Sequence, residues 1–250
     1  MSRSNPILEL KNPSVRWFQW SSENKCFRWY NTETKENVVV KMPFKFMFLD
    51  ELITIKGYSE SDKSGFYANE IRDMRKEKLY VKMNKVVEAS GLYQEVIKQV
   101  EGRGAGFYQS VYIAFMDENK QLSIGNIAIQ GSAVGPWIDF KKKNNVNDIA
   151  IKVATCVEQK TGAIKYNAPV FEVAELSKET NEKAIALDVK LQEYFKFYLS
   201  RNQEEGVEVE PKGELSKPTY SKQEQEFMNE KEESKTEPIS ITEDPSDLPF

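Results

Sequence analysis

The sequence predicts a mainly β fold, a small barrel or sandwich with a few helices, and three observations carry that prediction. Short runs rich in aromatics, Val and Ile recur along the body of the chain, separated by polar turns. Apolar residues at helical spacing are confined to a few stretches, the longest at residues 178–201. The charge is also divided. Residues 202–250 carry 14 acidic and 5 basic side chains, while residues 1–201 carry 25 and 30, so the net charge of −4 hides a basic body joined to an acidic tail.

Taken in order, residues 14–20, 25–30 and 37–41 read as strands, the first two separated by the turn Ser21-Ser22-Glu23-Asn24. Residues 44–48 continue apolar, 52–56 alternate, and 57–65 read as a polar loop before strands at 66–72 and 78–83. A helix is expected over 92–100, capped by Ser90, with Leu92, Val96, Ile97 and Val100 on one face. Gly102-Arg103-Gly104-Ala105-Gly106 reads as a flexible loop. Residues 107–116 and 122–129 then form a hairpin around Asp117-Glu118-Asn119-Lys120. A helical turn at 136–143 follows. After it come strands at 149–156 and 162–166 around Glu158-Gln159-Lys160-Thr161-Gly162, and an extended 170–176. The last helix carries Ala184, Leu187, Leu191, Tyr194, Phe195 and Tyr198 at three- and four-residue spacing. Beyond it the apolar residues are scattered without period, so 202–250 is expected to be disordered.

Composition excludes several kinds of chemistry. The chain has no histidine, which removes the commonest general base and metal ligand, and Cys26 and Cys156 lie too far apart for a zinc site. No metal and no cofactor are expected, and the two cysteines read as free thiols in a reducing compartment. The N-terminus has no apolar signal region, and no run reaches the roughly 18 apolar residues of a membrane span, so a cytoplasmic protein is expected. Asp50, Glu51, Glu60 and Asp62 are the carboxylates that a metal-dependent nuclease would use, although carboxylates beside turns are usually solvated. Lys141-Lys142-Lys143 reads in the same way as a solvated helix end.

Single-stranded nucleic acid is held by stacking bases on aromatic rings beside cations that follow the phosphates. Strand alternation asks which residues share a face. In 14–20 the expected platform is Arg16, Phe18 and Trp20, with Val15 and Trp17 inward. In 25–30 Arg28 and Tyr30 lie opposite Phe27 and Trp29. The cleanest split is Lys78, Tyr80 and Lys82 against Leu79, Val81 and Met83. In 107–116 Tyr108, Ser110 and Tyr112 oppose Phe107, Val111, Ile113 and Phe115, and Arg103 among its glycines is a further candidate.

The chain closes with Asp244-Pro245-Ser246-Asp247-Leu248-Pro249-Phe250. This ending resembles the acidic tip of bacterial and bacteriophage single-stranded DNA-binding proteins, with Asp247, Leu248, Pro249 and Phe250 matching and Pro245 and Ser246 interrupting the acidic run. The body is more weakly similar to phage-encoded proteins of this class, in Ile55-Lys56-Gly57-Tyr58 and Gly65-Phe66-Tyr67-Ala68-Asn69-Glu70, which adds Lys56 and Tyr58 to the candidate contacts. The resemblance implies an OB-like barrel with extra strands over residues 1–201, elaborated in 131–176, and a non-enzymatic protein that coats single-stranded DNA in a host cytoplasm. It also implies that Asp244, Asp247, Leu248, Pro249 and Phe250 recruit replication or recombination proteins. A nuclease or annealing factor and a non-catalytic adaptor are the alternatives. Oligomeric state and the choice between DNA and RNA stay open.

Overall fold

The aromatic-rich alternation near the N-terminus does form strands. In the computed structural model, which describes residues 11–204, β1 (Arg16–Ser21), β2 (Cys26–Asn31) and β3 (Glu36–Val39) make an antiparallel ribbon. β4 (Phe44–Ser59) follows, then β5 (Ser64–Ala68), β6 (Leu79–Met83) and β7 (Val86–Gly91). α1 (Tyr93–Val100) leads to the long hairpin β8 (Ala105–Met116) and β9 (Leu122–Ile129), and α2 (Val134–Lys143) to the hairpin β10 (Ala150–Thr161) and β11 (Ile164–Ala174). α3 (Lys178–Glu204) ends the described chain. No described helix is long and apolar enough to cross a membrane. α3 thus runs to Glu204, past the expected start of disorder at 202; the rest of that expectation, 205–250, and the tip residues Asp244 to Phe250 lie outside the described residues.

All eleven described strands belong to one sheet, ordered β3-β2-β1-β9-β8-β4-β5-β6-β7, with β10–β11 attached beside β4. β4 makes this branching possible through its length. One edge pairs with β8 from Phe46 to Gly57, and the other pairs with β10 at Phe44–Met47 and with β5 at Lys56–Ser59. A bulge between Phe48 and Asp50 bends the strand between those two partners. The expected loop at 57–65 is therefore mostly strand. Gly57 is what lets it continue, because a Cβ there would sit 2.1 Å from the Gly104 carbonyl oxygen of the neighbouring segment.

The inward face holds two cores. Phe18, Trp20, Phe27, Phe44, Phe46, Phe115, Trp137 and Phe171 form the first, which α2 covers through Trp137 packed on Phe171 at 5.2 Å. Ile55, Phe66, Leu79, Val81, Val96 and Val100 form the second, covered by α1. Fully burying such side chains contributes about 1.5–3 kcal/mol each. Around the first core the sheet curls into an OB-like partial barrel. It stays open, because β11 meets the β1–β2 turn through hydrogen bonds rather than a ladder: Trp20 Nε1 donates to the Asn167 carbonyl at 2.8 Å, and Asn167 donates to Ser22 at 2.7 and 3.0 Å. The outward face is covered at its centre by α3, whose Leu191, Tyr194 and Phe195 pack on Leu52, Tyr112 and Ile124.

Other expectations change in detail. Ser90 does not cap α1; it pairs with Tyr80 as part of β7, a strand the sequence reading missed. Leu92 is the cap instead, and its N–H donates to the Glu95 carboxylate at 3.1 Å. The three strands expected in 149–176 are one hairpin that turns at Gly162, where φ is +60°.

Candidate nucleic-acid interface

Cross-strand partners share a face, so the ladders show which candidate side chains come together. Lys56 pairs with Tyr67, and Tyr67 with Lys82. Tyr58 and Tyr80 lie two residues along the same strands, on the same face, opposite the buried Phe66, Leu79, Val81 and Met83. Lys78, exposed just before β6, continues the alternation. Three adjacent strands thus present Tyr58, Tyr67 and Tyr80 among Lys56, Lys78 and Lys82, all partly or fully exposed, with no carboxylate among these outward-facing neighbours. The alternation Phe66-Tyr67-Ala68 was the signal for Tyr67, which the sequence reading did not single out.

The local chain explains the shape of this patch. The type of hairpin joining β6 to β7 places Asn84 and Lys85 at φ +50° and +68°, and Ser64 donates to Asn84 at 2.6 Å, which ties β5 to that turn. Asn69 fixes the other end by accepting from the Tyr80 N–H at 2.7 Å and donating to the Lys78 carbonyl at 3.0 Å.

The cations sort themselves by partner. Lys56, Lys78 and Lys82 have no ion pair among the described residues. Arg103, a candidate contact in sequence, instead fastens the protein to itself. It bonds Glu88 at 2.8 Å and Asp62 at 3.3 Å, and its guanidinium lies 5.1 Å from the Phe66 ring. The Glu88 bond, then the Asp62 bond, holds the Arg103 pKa above its ordinary value, while the Ser59 hydroxyl and then Arg103 hold Asp62 below its own. The glycine loop around Arg103 does close over a strand backbone, but the strand is β4. A Cβ on Gly104, where φ is +94°, would lie 2.4 Å from the Tyr58 carbonyl oxygen.

Five further candidates are corrected. Phe18 and Trp20 are core residues, 2% and 4% exposed, whereas Trp17 and Val15 face outward, the reverse of the expectation. Both faces of this strand are aromatic, so alternation alone does not say which is inside. Arg16 points inward at the open end of the barrel, paired with Glu118 and lying 4.2 Å over the Trp29 ring. Tyr108 is buried, and Tyr112 is wholly so because α3 covers a face that reads as exposed in isolation. The Tyr112 hydroxyl donates to Glu70 at 2.6 Å, and its ring meets Phe195 edge-on at 4.9 Å. Burial first, then the Glu70 charge, pushes its pKa well up. Arg28 and Tyr30 do face outward and are half-buried.

The nuclease carboxylates are dispersed. Asp50 pairs with Arg72 at 2.7 Å, Glu51 with Lys141, Glu60 with Lys63 at 2.9 Å, and Asp62 with Arg103. Among the described residues no group of three or more His, Cys, Asp or Glu side chains could hold a metal ion. Comparison of the chain with protein-family models, curated proteins and solved structures finds no match in any of the three.

Proposed function

We propose that this protein binds single-stranded nucleic acid, as a phage-type single-stranded DNA-binding protein, and that its acidic segment recruits replication or recombination proteins through Asp244, Asp247, Leu248, Pro249 and Phe250. One observation carries the binding proposal: the β4–β5–β6 ladders gather three tyrosines and three lysines, none ion-paired among the described residues, onto one sheet face where all six are partly or fully exposed. Phosphates follow the lysines and bases stack on the rings. Contacts of this kind read no sequence, so binding is general and salt-dependent.

The test is a titration of labelled oligo(dT), oligo(rU) and duplex with the full chain, its Y67A/Y80A variant and its K56A/K82A variant. Single strands bind more tightly than duplex, and both variants weaken that binding by at least about fivefold, since each lost stack is worth about 1–3 kcal/mol. Wild-type affinity in Y67A/Y80A would overturn the assignment of the site. The DNA and RNA arms decide which polymer is preferred.

A further inference from the structure

Trp17 is 41% exposed on a sheet whose other large aromatics are mostly packed away, and this placement needs an explanation. The antiparallel register sets Tyr30 across from Trp17 and Arg28 across from Gln19. Arg28 in turn pairs with Val39. The outward residues of β1–β3 are therefore Trp17, Gln19, Arg28, Tyr30, Asn37 and Val39, aromatic, polar or cationic, with no carboxylate among them. This is the composition of the tyrosine–lysine patch on β4–β6, repeated at the other end of the same sheet face.

The two patches are connected. Gln19 pairs with Ala128, and Ala128 with Ser110. Ala128, its outward neighbour Gln130, and Gly106, which pairs with Lys56, are half-buried and uncharged. Ser110 itself lies under α3, engaged with Glu70 and Asn126. The two rows are Lys82–Tyr67–Lys56–Gly106 and Ala128–Gln19–Arg28, offset by the four residues of β8 from Gly106 to Ser110, where Tyr108 and Ser110 are buried. Together they cross seven adjacent strands, β6-β5-β4-β8-β9-β1-β2. Six intervals of about 4.8 Å and the slip of about 13 Å along β8 give about 32 Å end to end, room for about eight or nine nucleotides at the stacked spacing of about 3.4 Å.

Site size gives a second reason to look for more contacts. The first patch is three strands wide, about 10 Å or about three stacked nucleotides, whereas single-strand sites commonly take about 4–16. The first patch alone falls short of that range.

We infer that Trp17 and Tyr30 form a second stacking site for the same strand, and that one single strand crosses the sheet from the Lys82 patch to the Trp17 patch, oblique to the β-strands. This rests on the nucleic-acid reading of the Lys56–Tyr67–Lys82 face. A protein occupant is the competing possibility for a patch edged by exposed Val15 and Val39, 59% and 60% accessible. The absence of carboxylates and the continuity with the first patch favour a polyanion.

The experiment is a length series of oligo(dT), from about four to about 16 nucleotides, spanning the usual site sizes. It is titrated with the full chain, W17A, W17F and Y67A/Y80A, with sedimentation velocity of each variant. Fluorescence anisotropy of an end-labelled oligonucleotide is the readout for every variant, because W17A and W17F remove the accessible indole itself, Trp20 and Trp137 being buried and Trp29 lying under Arg16. W17A is expected to match the wild type for the shortest strands and to lose at least about fivefold for strands of about eight or more, with W17F restoring most of it. Equal binding of all lengths by W17A, while Y67A/Y80A is weakened, overturns the second site and leaves the first. Wild-type binding by Y67A/Y80A overturns the first site itself. A change in sedimentation of W17A with unchanged DNA affinity overturns the proposal in favour of contact between copies of the chain.

Discussion

Replacing Lys56 and Lys82 by Ala should change the salt dependence of single-strand binding by an amount that follows from which cations are already neutralised. A lysine without a carboxylate partner releases a counterion from the polymer when it meets a phosphate, and each such contact steepens the plot of log affinity against log salt by about 0.7 for single strands. The double variant should therefore have a slope shallower by about 1.4. Across the fourfold range from about 0.05 to about 0.2 M salt its affinity should fall about sevenfold less than that of the wild type. Adding K78A should take the difference to about 2.1. Arg103 and Arg16, bonded to Glu88, Asp62 and Glu118, supply the control: R103A and R16A should move the slope by less than one lysine does. Fluorescence anisotropy of a labelled oligo(dT) at five or so salt concentrations measures all of this. An unchanged slope in K56A/K82A, or an equal fall in R103A, would place the phosphates elsewhere on the protein.

Other expectations concern the frame that holds the site. Gly57→Ala drives a methyl into three backbone atoms of Gly104 and Ala105 within 2.8 Å. It should cost about 1–3 kcal/mol or more, seen as a lower midpoint in urea, and an unchanged midpoint would show that the segment gives way. Tyr112→Phe removes a buried hydrogen bond to the Glu70 carboxylate and should cost about 1.5–3 kcal/mol, whereas Tyr58→Phe should be neutral in the same denaturation assay. Burial pushes Tyr93 up to about 12 and raises Tyr112 as well. A raised folded pKa means that this stability is fully present below about pH 10, the unfolded tyrosine value, and is lost as pH climbs through the folded one. Alkaline unfolding should therefore set in between about pH 10 and 12, and Tyr93→Phe should delay it; an identical pH profile would count against the linkage. Cutting the chain after Glu204 should preserve or strengthen DNA affinity while abolishing partner recruitment, and weaker binding would contradict the division of labour between body and acidic segment.

The parts of this molecule that were legible in sequence are those where one physical signal acts alone. Leu79-Tyr80-Val81-Lys82-Met83 alternates between apolar and polar, so both the strand and its faces could be read, and 122–129 was placed to the residue because the polar turn Asp117–Lys120 bounds its apolar run. β1 was legible as a strand but not as an orientation, because Trp17, Phe18 and Trp20 put aromatic rings on both sides. Tyr112 misled for a tertiary reason: an outward face is exposed only until another element lies on it, and α3 is 66 residues further along the chain. Arg103 misled because ion pairs with Asp62 and Glu88 depend on turns that have no local signature. Tyr67 was in plain view within a legible strand, and only the ladders to Lys56 and Lys82 gave it significance.

The parallel pairing of β1 with β9 has a consequence for how the protein is made. Arg16–Gln19 bond to Gly125–Ala128, so the first ribbon has no neighbour in the sheet until β9 has been synthesised. At about 5–20 residues per second the roughly 110 intervening residues take about 5–20 s to emerge. Early in that interval Phe18, Trp20 and Phe27 have only one another; Phe44 and Phe46 of β4 join them next, β8 near its end, and α2 and β10 only after β9. A ribbon with three uncovered aromatics and an unpaired edge is a natural chaperone client and a nucleus for aggregation. Yield from overexpression should therefore respond more sharply to translation speed and holdase supply than the stability of the finished sheet would suggest.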